Sequence, residues 1–209
     1  MGFFDNLKRT VTSELGRNAN KLIKGAVNEA VKAVKGISGK TGTARKEVKF
    51  SFAALPTTVE ELKALPEASL NTPFKTAALA IAVLTNYEKD PEGTYAMLNV
   101  LKGPEPLSNM EKQHLQDRLR GKIYKVFSFF AGATVENDYT PDAPYKISVF
   151  ENPYSFAEEN WAVMWVKSAG ADDVRPIKLR KKPSTGEWFI NEIQCLSDIR
   201  TPKSLDKWA

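Results

Sequence analysis

"NWAVMWVKSAGADDVRPIKLRK" (160–181) contains two segments of alternating residues joined by a short turn. Apolar and polar side chains alternate over 160–168 and again over 174–181, which is the two-residue period of a β-strand with one buried face. The connecting "AGADD" is short, and a connection of that length joins antiparallel neighbours. This stretch therefore predicts a β-hairpin and an antiparallel sheet in the C-terminal part of the chain.

Three more segments show the same alternation. "YKISVFE" (145–151) and "EWFINEIQC" (187–195) flank the first stretch, with "NPYS" and "PSTG" as the intervening turns. Because short turns join successive strands, the four C-terminal segments predict an antiparallel meander of about four strands. "KEVKFSF" (46–52) suggests one further strand, far upstream. Pro176 lacks a backbone donor, so we expect it at an edge or irregular position of its strand.

Helix signals fill the region between residues 57 and 121. Each predicted helix begins at a capping box or at a capping residue followed by proline. The helices run from Thr58, paired with Glu61, to about Leu65; from Thr72-Pro73 to about Glu88; from Asp90-Pro91 to about Leu101; and from Ser108, paired with Glu111, to about Arg120. "KIYKVFSFFAGA" (122–133) fits either a short helix or a strand. Helices separated from strands predict an α+β fold, with a helical layer packed on the C-terminal antiparallel meander.

The N-terminal stretch has a different pattern. Apolar residues recur at three- and four-residue steps from Phe3 to Val34, with basic residues between them, which predicts a long basic amphipathic helix over residues 1–35. The Gly/Ser/Thr-rich "KGISGKTGTARK" (35–46) predicts a flexible linker over 36–45, followed by a compact domain over 46–209. The linker imitates a phosphate-binding loop, but Val34 stands where its first glycine is required. We therefore expect no nucleotide cofactor.

The positive charge of the chain is concentrated near its N-terminus. Residues 1–50 contain 11 Lys and Arg against 4 Asp and Glu, out of totals of 30 and 25, which leaves 19 against 21 for the remainder. A net charge of +7 beside −2 predicts a polyanionic partner for the N-terminal stretch, such as anionic lipid or nucleic acid. No apolar run approaches the roughly 18 residues of a membrane-spanning helix. With one cysteine and no secretory signal pattern, we expect a cytoplasmic protein.

Residues that could carry catalysis are few. His114, the one histidine, lies in a predicted amphipathic helix, and Cys195 has no partner spacing typical of a redox or metal site. Carboxylates cluster in predicted turns, at Glu151, Glu158 and Glu159 beside Tyr154, and at Asp172 and Asp173. Acidic residues in turns usually face water, so we expect no catalytic residues, no metal site and no enzyme activity.

Aromatic and basic residues accompany the predicted strands. We expect the aromatic side chains to belong to the core rather than to a ligand cage: Phe150, Phe156, Trp161, Trp165, Trp188 and Phe189. The basic "RKK" at 180–182 is interpreted as a guard on a hairpin edge. Since no base-reading motif or RNA-binding aromatic signature is present, a nucleic-acid partner is not expected.

Two resemblances accompany these patterns. With "TPDAPYKISVFENPYS", "GADDVRPIKLRKKPSTGEWFINE" and the closing "IRTP", the stretch from about 55 to 202 resembles a family of uncharacterised bacterial domains found in gut Firmicutes. That resemblance implies a fold unit without an established activity. The opening "MGFFDNLKRTV" is similar in kind to the membrane-contacting N-terminal helix of phage-shock protein A and its relatives, which implies contact with a membrane.

The sequence therefore predicts a non-enzymatic protein whose N-terminal helix tethers an α+β interaction domain to an anionic membrane surface. Such a protein would be cytoplasmic and peripheral at the inner face of the cell membrane. An alternative is self-association or binding of a partner helix, because the later part of the stripe, "AVNEAVKAVKG" (26–36), consists of small residues that suit helix packing. The residues expected to bind the membrane or partner are Phe3, Phe4, Leu7, Lys8, Arg9, Val11, Leu15, Lys21, Leu22 and Lys24.

Overall fold

The computed structural model describes residues 46–208. The predicted N-terminal helix and linker lie outside these residues, and so do all the predicted membrane- or partner-binding side chains from Phe3 to Lys24. Along the described chain the elements are β1 (Lys46–Phe52), α1 (Val59–Ala64), α2 (Pro73–Leu84), α3 (Pro91–Lys102), α4 (Asn109–Leu119), α5 (Tyr124–Phe127), β2 (Tyr145–Glu151), β3 (Trp161–Val166), β4 (Arg175–Lys181) and β5 (Trp188–Ile193). Short 3₁₀ turns cover Pro66–Ser69 and Lys203–Leu205.

The strands form one antiparallel sheet in the order β1-β2-β3-β4-β5. This confirms the α+β fold and the antiparallel pairing, but the sheet has five strands rather than about four. The additional strand is β1, which precedes the helices in sequence and pairs along its full length with β2, Val48 lying opposite Val149. This pairing joins segments about a hundred residues apart, which the period of the sequence alone does not reveal.

The four helices α1 to α4 begin at the predicted capping residues. The side chains of Thr58, Asp90 and Ser108 accept hydrogen bonds from the backbone N–H three residues later, at 3.2, 2.9 and 3.3 Å. These bonds satisfy donors that a helix start leaves without intrahelical partners. α2 ends at Leu84, before the predicted end at about Glu88, because the next backbone donors, in Asn86 and Tyr87, turn back to acceptors only three residues earlier.

The hydrophobic core lies between the helices and one face of the sheet. α2 packs across β2 to β5, and every residue from Thr76 to Leu84 is buried. The Thr76 hydroxyl, the polar group in this run, donates to the carbonyl oxygen of Trp188 at 2.8 Å. Because its one polar side chain is satisfied, the helix can be buried on all sides without leaving an unpaired donor. Among residues 46–208 there is no helix long and apolar enough to cross a membrane.

Pro176 lies in an interior strand, where proline is rare. It pairs with Trp165 on β3, whereas the ladder between β4 and β5 begins one residue later, at Ile177. At Pro176 the strand is therefore locally an edge, and the missing backbone donor costs no ladder hydrogen bond on the β5 side.

Candidate functional site

The sheet has a second face, opposite the core, whose side chains are half-buried or exposed. On each strand these residues alternate with the buried ones, so they share one surface, which we call the open face. The side chains of the open face are Glu47, Lys49, Ser51, Lys146, Ser148, Phe150, Trp161, Val163, Trp165, Pro176, Lys178, Arg180, Phe189 and Glu192. Cations and aromatic rings are both frequent on this surface.

Two aromatic residues and a proline of the open face form a row across three strands. Phe150 lies opposite Trp165, and Trp165 lies opposite Pro176. Nearby, the Nζ of Lys178 and the Cζ of Arg180 lie 4.7 and 5.2 Å from the ring centroid of Trp161. Cations at such distances are attracted to the face of an indole ring.

The prediction that the strand aromatics belong to the core is wrong for most of them. Phe150, Trp161 and Trp165 are half-buried on the open face, and the ring of Phe156 is 49% exposed in the loop between β2 and β3. Phe189 is also half-buried, but it packs against the core. Trp188 alone of the six aromatics is buried in the core. The two-residue period of a strand explains these positions. Apart from Trp188 and Phe189, the strand aromatics occur at the same alternate positions as the polar residues, so they lie on the face away from the buried aliphatic side chains.

A groove of about 770 Å³ lies on the open face beside Phe150. Three lysines line it, Lys49, Lys146 and Lys167, together with the hydroxyls of Ser51 and Ser148. One wall is the segment 128–133, which is held against β2 by a hydrogen bond of 2.8 Å from the N–H of Ala131 to the carbonyl of Lys146. The groove thus brings together ammonium groups from three distant segments.

The charge of this groove is only partly neutralised. Glu47 accepts a hydrogen bond of 2.7 Å from Ser148 and lies 3.7 Å from the Nζ of Lys49. Among the residues that the structure describes, Lys146 and Lys167 have no carboxylate within ion-pair distance. Two uncompensated ammonium groups beside serine hydroxyls and an aromatic ring can bind anionic oxygens, such as those of a phosphate ester.

The residues considered for catalysis lie apart from this groove. His114 is exposed on α4, whereas Cys195 is buried, and burial raises the pKa of its thiol to about 12. Asp172 forms an ion pair with Arg200, and Glu158 and Glu159 are exposed. Within the described part of the chain, no group of three or more His, Cys, Asp or Glu side chains is placed to hold a metal ion.

The predicted basic hairpin edge is accounted for by local contacts. Arg180 pairs with Glu105 at 3.6 Å, and the Nζ of Lys181 lies 5.9 Å from the ring centroid of Trp188. The groove lysines, by contrast, were missed by sequence reasoning. The alternation of residues could have identified two of them. Lys49 and Lys146 alternate with buried residues of β1 and β2, which places both lysines on the face of the sheet away from the core.

Comparison with known proteins gives one match. A family model described as a domain of unknown function, DUF6935, matches residues 54–203, from the loop after β1 to the last 3₁₀ turn. This confirms the resemblance of the stretch 55–202 to an uncharacterised domain. No curated protein and no solved structure matches the sequence.

Proposed function

The chain belongs to the DUF6935 family, a domain of unknown function, and we propose that it is a non-enzymatic, peripheral membrane-associated protein. In this proposal the basic amphipathic segment 1–35 tethers the α+β domain to an anionic membrane surface, and the domain presents an interaction surface there. The protein acts at the inner face of a bacterial cell membrane. The partner surface is recognised by its negative charge and its apolar interior rather than by a specific headgroup.

The observation that carries the proposal is the uneven distribution of charge. Residues 1–50 have a net charge of +7 and the rest of the chain −2. A uniformly basic protein would be attracted to any polyanion, whereas a basic stretch with an apolar stripe matches a surface that is anionic outside and apolar within. The similarity in kind of "MGFFDNLKRTV" to the membrane-contacting helix of phage-shock protein A supports the same assignment.

The expected free energies are sufficient for reversible binding of segment 1–35 to an anionic membrane. Basic residues near an anionic surface contribute about 1 kcal/mol each, and segment 1–35 contains Lys8, Arg9, Lys21, Lys24, Lys32 and Lys35. Burial of a bulky apolar side chain contributes about 2 kcal/mol before the cost of ordering the chain. Phe3, Phe4 and Leu7 would therefore match the electrostatic contribution in size.

The open face of the domain supports an anionic partner independently of the N-terminal segment. Lys146 and Lys167 lack carboxylate partners among the described residues, and Trp165 lies close by on the same face. Lysine places an apolar stem against a nonpolar region and keeps its ammonium group in water, whereas the indole N–H of Trp165 is buried without a hydrogen-bond partner within residues 46–208. The groove could therefore bind headgroup phosphates of the surface to which the N-terminal segment is tethered.

Self-association through the N-terminal segment is the second candidate function. It is favoured by the small residues of "AVNEAVKAVKG" (26–36), which allow close approach of two helices better than deep insertion into lipid. Both functions could occur together, with assembly through residues 19–35 and membrane contact through residues 3–15.

Vesicle flotation with full-length variants separates the two functions. Phe3→Glu/Phe4→Glu should abolish flotation with phosphatidylglycerol vesicles, because two new carboxylates would enter an anionic interface. Val27→Glu/Val31→Glu should leave flotation measurable and reduce the mass observed by light scattering if the segment self-associates. Equal flotation of the wild type and the Phe3→Glu/Phe4→Glu variant would overturn the membrane proposal.

A further inference from the structure

The two edge strands of the sheet, β5 and β1, differ in whether other segments cover their outer sides. At β5, the backbone N–H of Trp188 donates to the carbonyl of Leu70 at 2.8 Å, the Thr76 hydroxyl donates to the carbonyl of Trp188, and the Nζ of Lys102 donates to the carbonyl of Asn191 at 3.3 Å. α3 also packs against this strand. These contacts occupy the outer side of β5 and prevent another strand from pairing there.

β1 forms the other edge and lacks such contacts. It is a regular strand of seven residues, paired without a bulge to β2. Within residues 46–208, no hydrogen bond from another segment reaches its backbone on the side away from β2. A regular edge of this length presents a row of donors and acceptors that can pair with another strand.

Charged side chains usually protect such an edge from pairing. On β1, however, the order of the charges is complementary to that of a second, antiparallel copy of the same strand. Glu47 and Lys49 point to the open face on either side of Val48. If two copies of β1 pair antiparallel about a two-fold axis through Val48, Glu47 lies opposite the partner's Lys49, and Lys49 lies opposite the partner's Glu47. Opposite charges facing each other across strands stabilise a pair, and like charges destabilise it.

The neighbouring registers lack this complementarity. An axis through Glu47 places that carboxylate opposite the partner's Glu47, and an axis through Lys49 places the ammonium opposite the partner's Lys49. An axis through Phe50 leaves Lys49 facing the partner's Ser51. An axis between two residues would place side chains from different faces opposite each other, which the pleat of an antiparallel pair does not allow. The charges therefore select one register.

We infer that β1 is a self-pairing edge, through which two copies of this chain join their sheets into one continuous sheet across a two-fold axis at Val48. The interface is isologous, so each copy supplies the same residues. In the pair, Val48 lies opposite the partner's Val48, and Lys46 lies opposite the partner's Phe50. This assembly is independent of the membrane proposal, since it uses β1 and requires no lipid.

The dimer should be weak. A single pair of short strands buries less than the roughly 1,600 Å² of a standard stable interface, so association should depend on protein concentration. Attachment of two copies to one surface would raise their local concentration and favour the pair.

Charge reversal with the full-length protein tests the inference by sedimentation equilibrium without lipid. Glu47→Lys should weaken the dimer about tenfold or more, because two attractive pairs become two repulsive ones. Lys49→Glu should have the same effect. The double variant Glu47→Lys/Lys49→Glu restores opposite charges and should recover the dimer, and an equimolar mixture of the two single variants should form a heterodimer.

Matched controls change the same charges elsewhere. Glu159→Lys and Lys207→Glu alter exposed residues outside the sheet and should leave the dimer unchanged. As a second measurement, Val48→Cys should form an intermolecular disulfide under mild oxidation, since residues facing each other across a two-fold axis lie within disulfide range. Ser51→Cys, which does not face itself in this register, should not.

Three results would overturn the inference. A wild-type protein that stays monomeric at millimolar concentration would do so, as would a dimer unaffected by Glu47→Lys. Association that persists in Glu47→Lys but disappears in Val27→Glu/Val31→Glu would assign assembly to the N-terminal segment instead. Failure of vesicle binding, by contrast, would leave the pairing of β1 untouched.

Discussion

Lys102 Nζ lies 2.6 Å from Glu111 Oε1, joining the last residue of α3 to the first turn of α4. The side chain of Lys102 is 7% exposed and that of Glu111 36%. The same ammonium donates to the carbonyl of Asn191, and the same carboxylate accepts from the backbone and hydroxyl of Ser108. One ion pair therefore links two helices and an edge strand.

Glu111→Ala should lower the free energy of unfolding by about 2 kcal/mol, because it leaves the Lys102 ammonium buried and removes half of the capping box. The effect should fall short of that for a fully buried pair, since water reaches the Glu111 side. Urea denaturation measures it. Glu105→Ala, which breaks an exposed pair with Arg180, should change stability by less than about 0.5 kcal/mol. Similar losses in both variants would contradict this interpretation.

The same carboxylate should make stability depend on pH in the acid range. Burial opposes ionisation of Glu111, but the hydrogen bonds from Lys102 and Ser108 outweigh it and hold its pKa below the ordinary value of 4.5. A carboxyl whose pKa is lowered on folding stabilises the fold above its unfolded pKa, and this contribution is lost as pH falls through the folded pKa. The stability difference between wild type and Glu111→Gln should therefore be larger at neutral pH than in strong acid. A constant difference would be inconsistent with this pKa.

Gly103→Ala should destabilise the domain by about 2 kcal/mol, because the residue ends α3 at a φ of +64° and a Cβ there would lie 2.5 Å from the ring of Phe189. Gly121→Ala is the matched control, with a φ of +65° and open space around its Cβ position. It should cost only the backbone strain, about 1 kcal/mol. Thermal unfolding compares the two variants. The larger loss at Gly103 includes backbone strain, because a ψ of −122° beside a positive φ suits glycine, and equal losses would show that the contact with Phe189 is unimportant.

Cys195 should be unreactive in the native protein. Burial raises the pKa of its thiol to about 12, and the side chain is fully shielded from solvent. Because the thiolate is the reacting species, labelling with a disulfide reagent at neutral pH should proceed at the rate of opening of the structure and accelerate with denaturant. Rapid labelling of the folded protein would contradict the placement of this residue.

Lys146→Glu/Lys167→Glu should weaken binding to anionic vesicles about tenfold or more, since reversing two charges near such a surface removes attraction and adds repulsion. Lys89→Glu/Lys207→Glu makes the same change in net charge at exposed positions outside the groove and should have a smaller effect. Co-sedimentation with vesicles at constant ionic strength compares the two. Equal effects would indicate that the groove does not face the membrane.

The helix starts could be predicted because their causes are local. Thr58, Asp90 and Ser108 each bond a backbone donor three residues away, and a side chain of that type followed by a helical pattern is visible in the sequence. The end of α2 was missed because Asn86 and Tyr87 continue the turn with shorter-range bonds, and no glycine or proline marks that change.

The character of the open face could not be predicted to the same extent. The alternation of β3 identifies two faces, but Trp161 and Trp165 are larger than the buried Ala162 and Met164, so hydrophobicity alone assigned the aromatics to the core. Which face receives the helices depends on the packing of α2, a long-range contact. The groove also depends on a long-range contact, because Lys49 on β1 reaches Lys146 and Lys167 only when β1 pairs with β2.

The proposal of an anionic membrane partner is tested most directly by the fraction of full-length protein that floats with vesicles as their phosphatidylglycerol content and the salt concentration are varied. We expect little flotation with neutral phosphatidylcholine vesicles, a steep increase with anionic lipid, and a decrease when salt screens the charges. Flotation that is absent from anionic vesicles, or that is equal with neutral and anionic vesicles, would contradict the proposal.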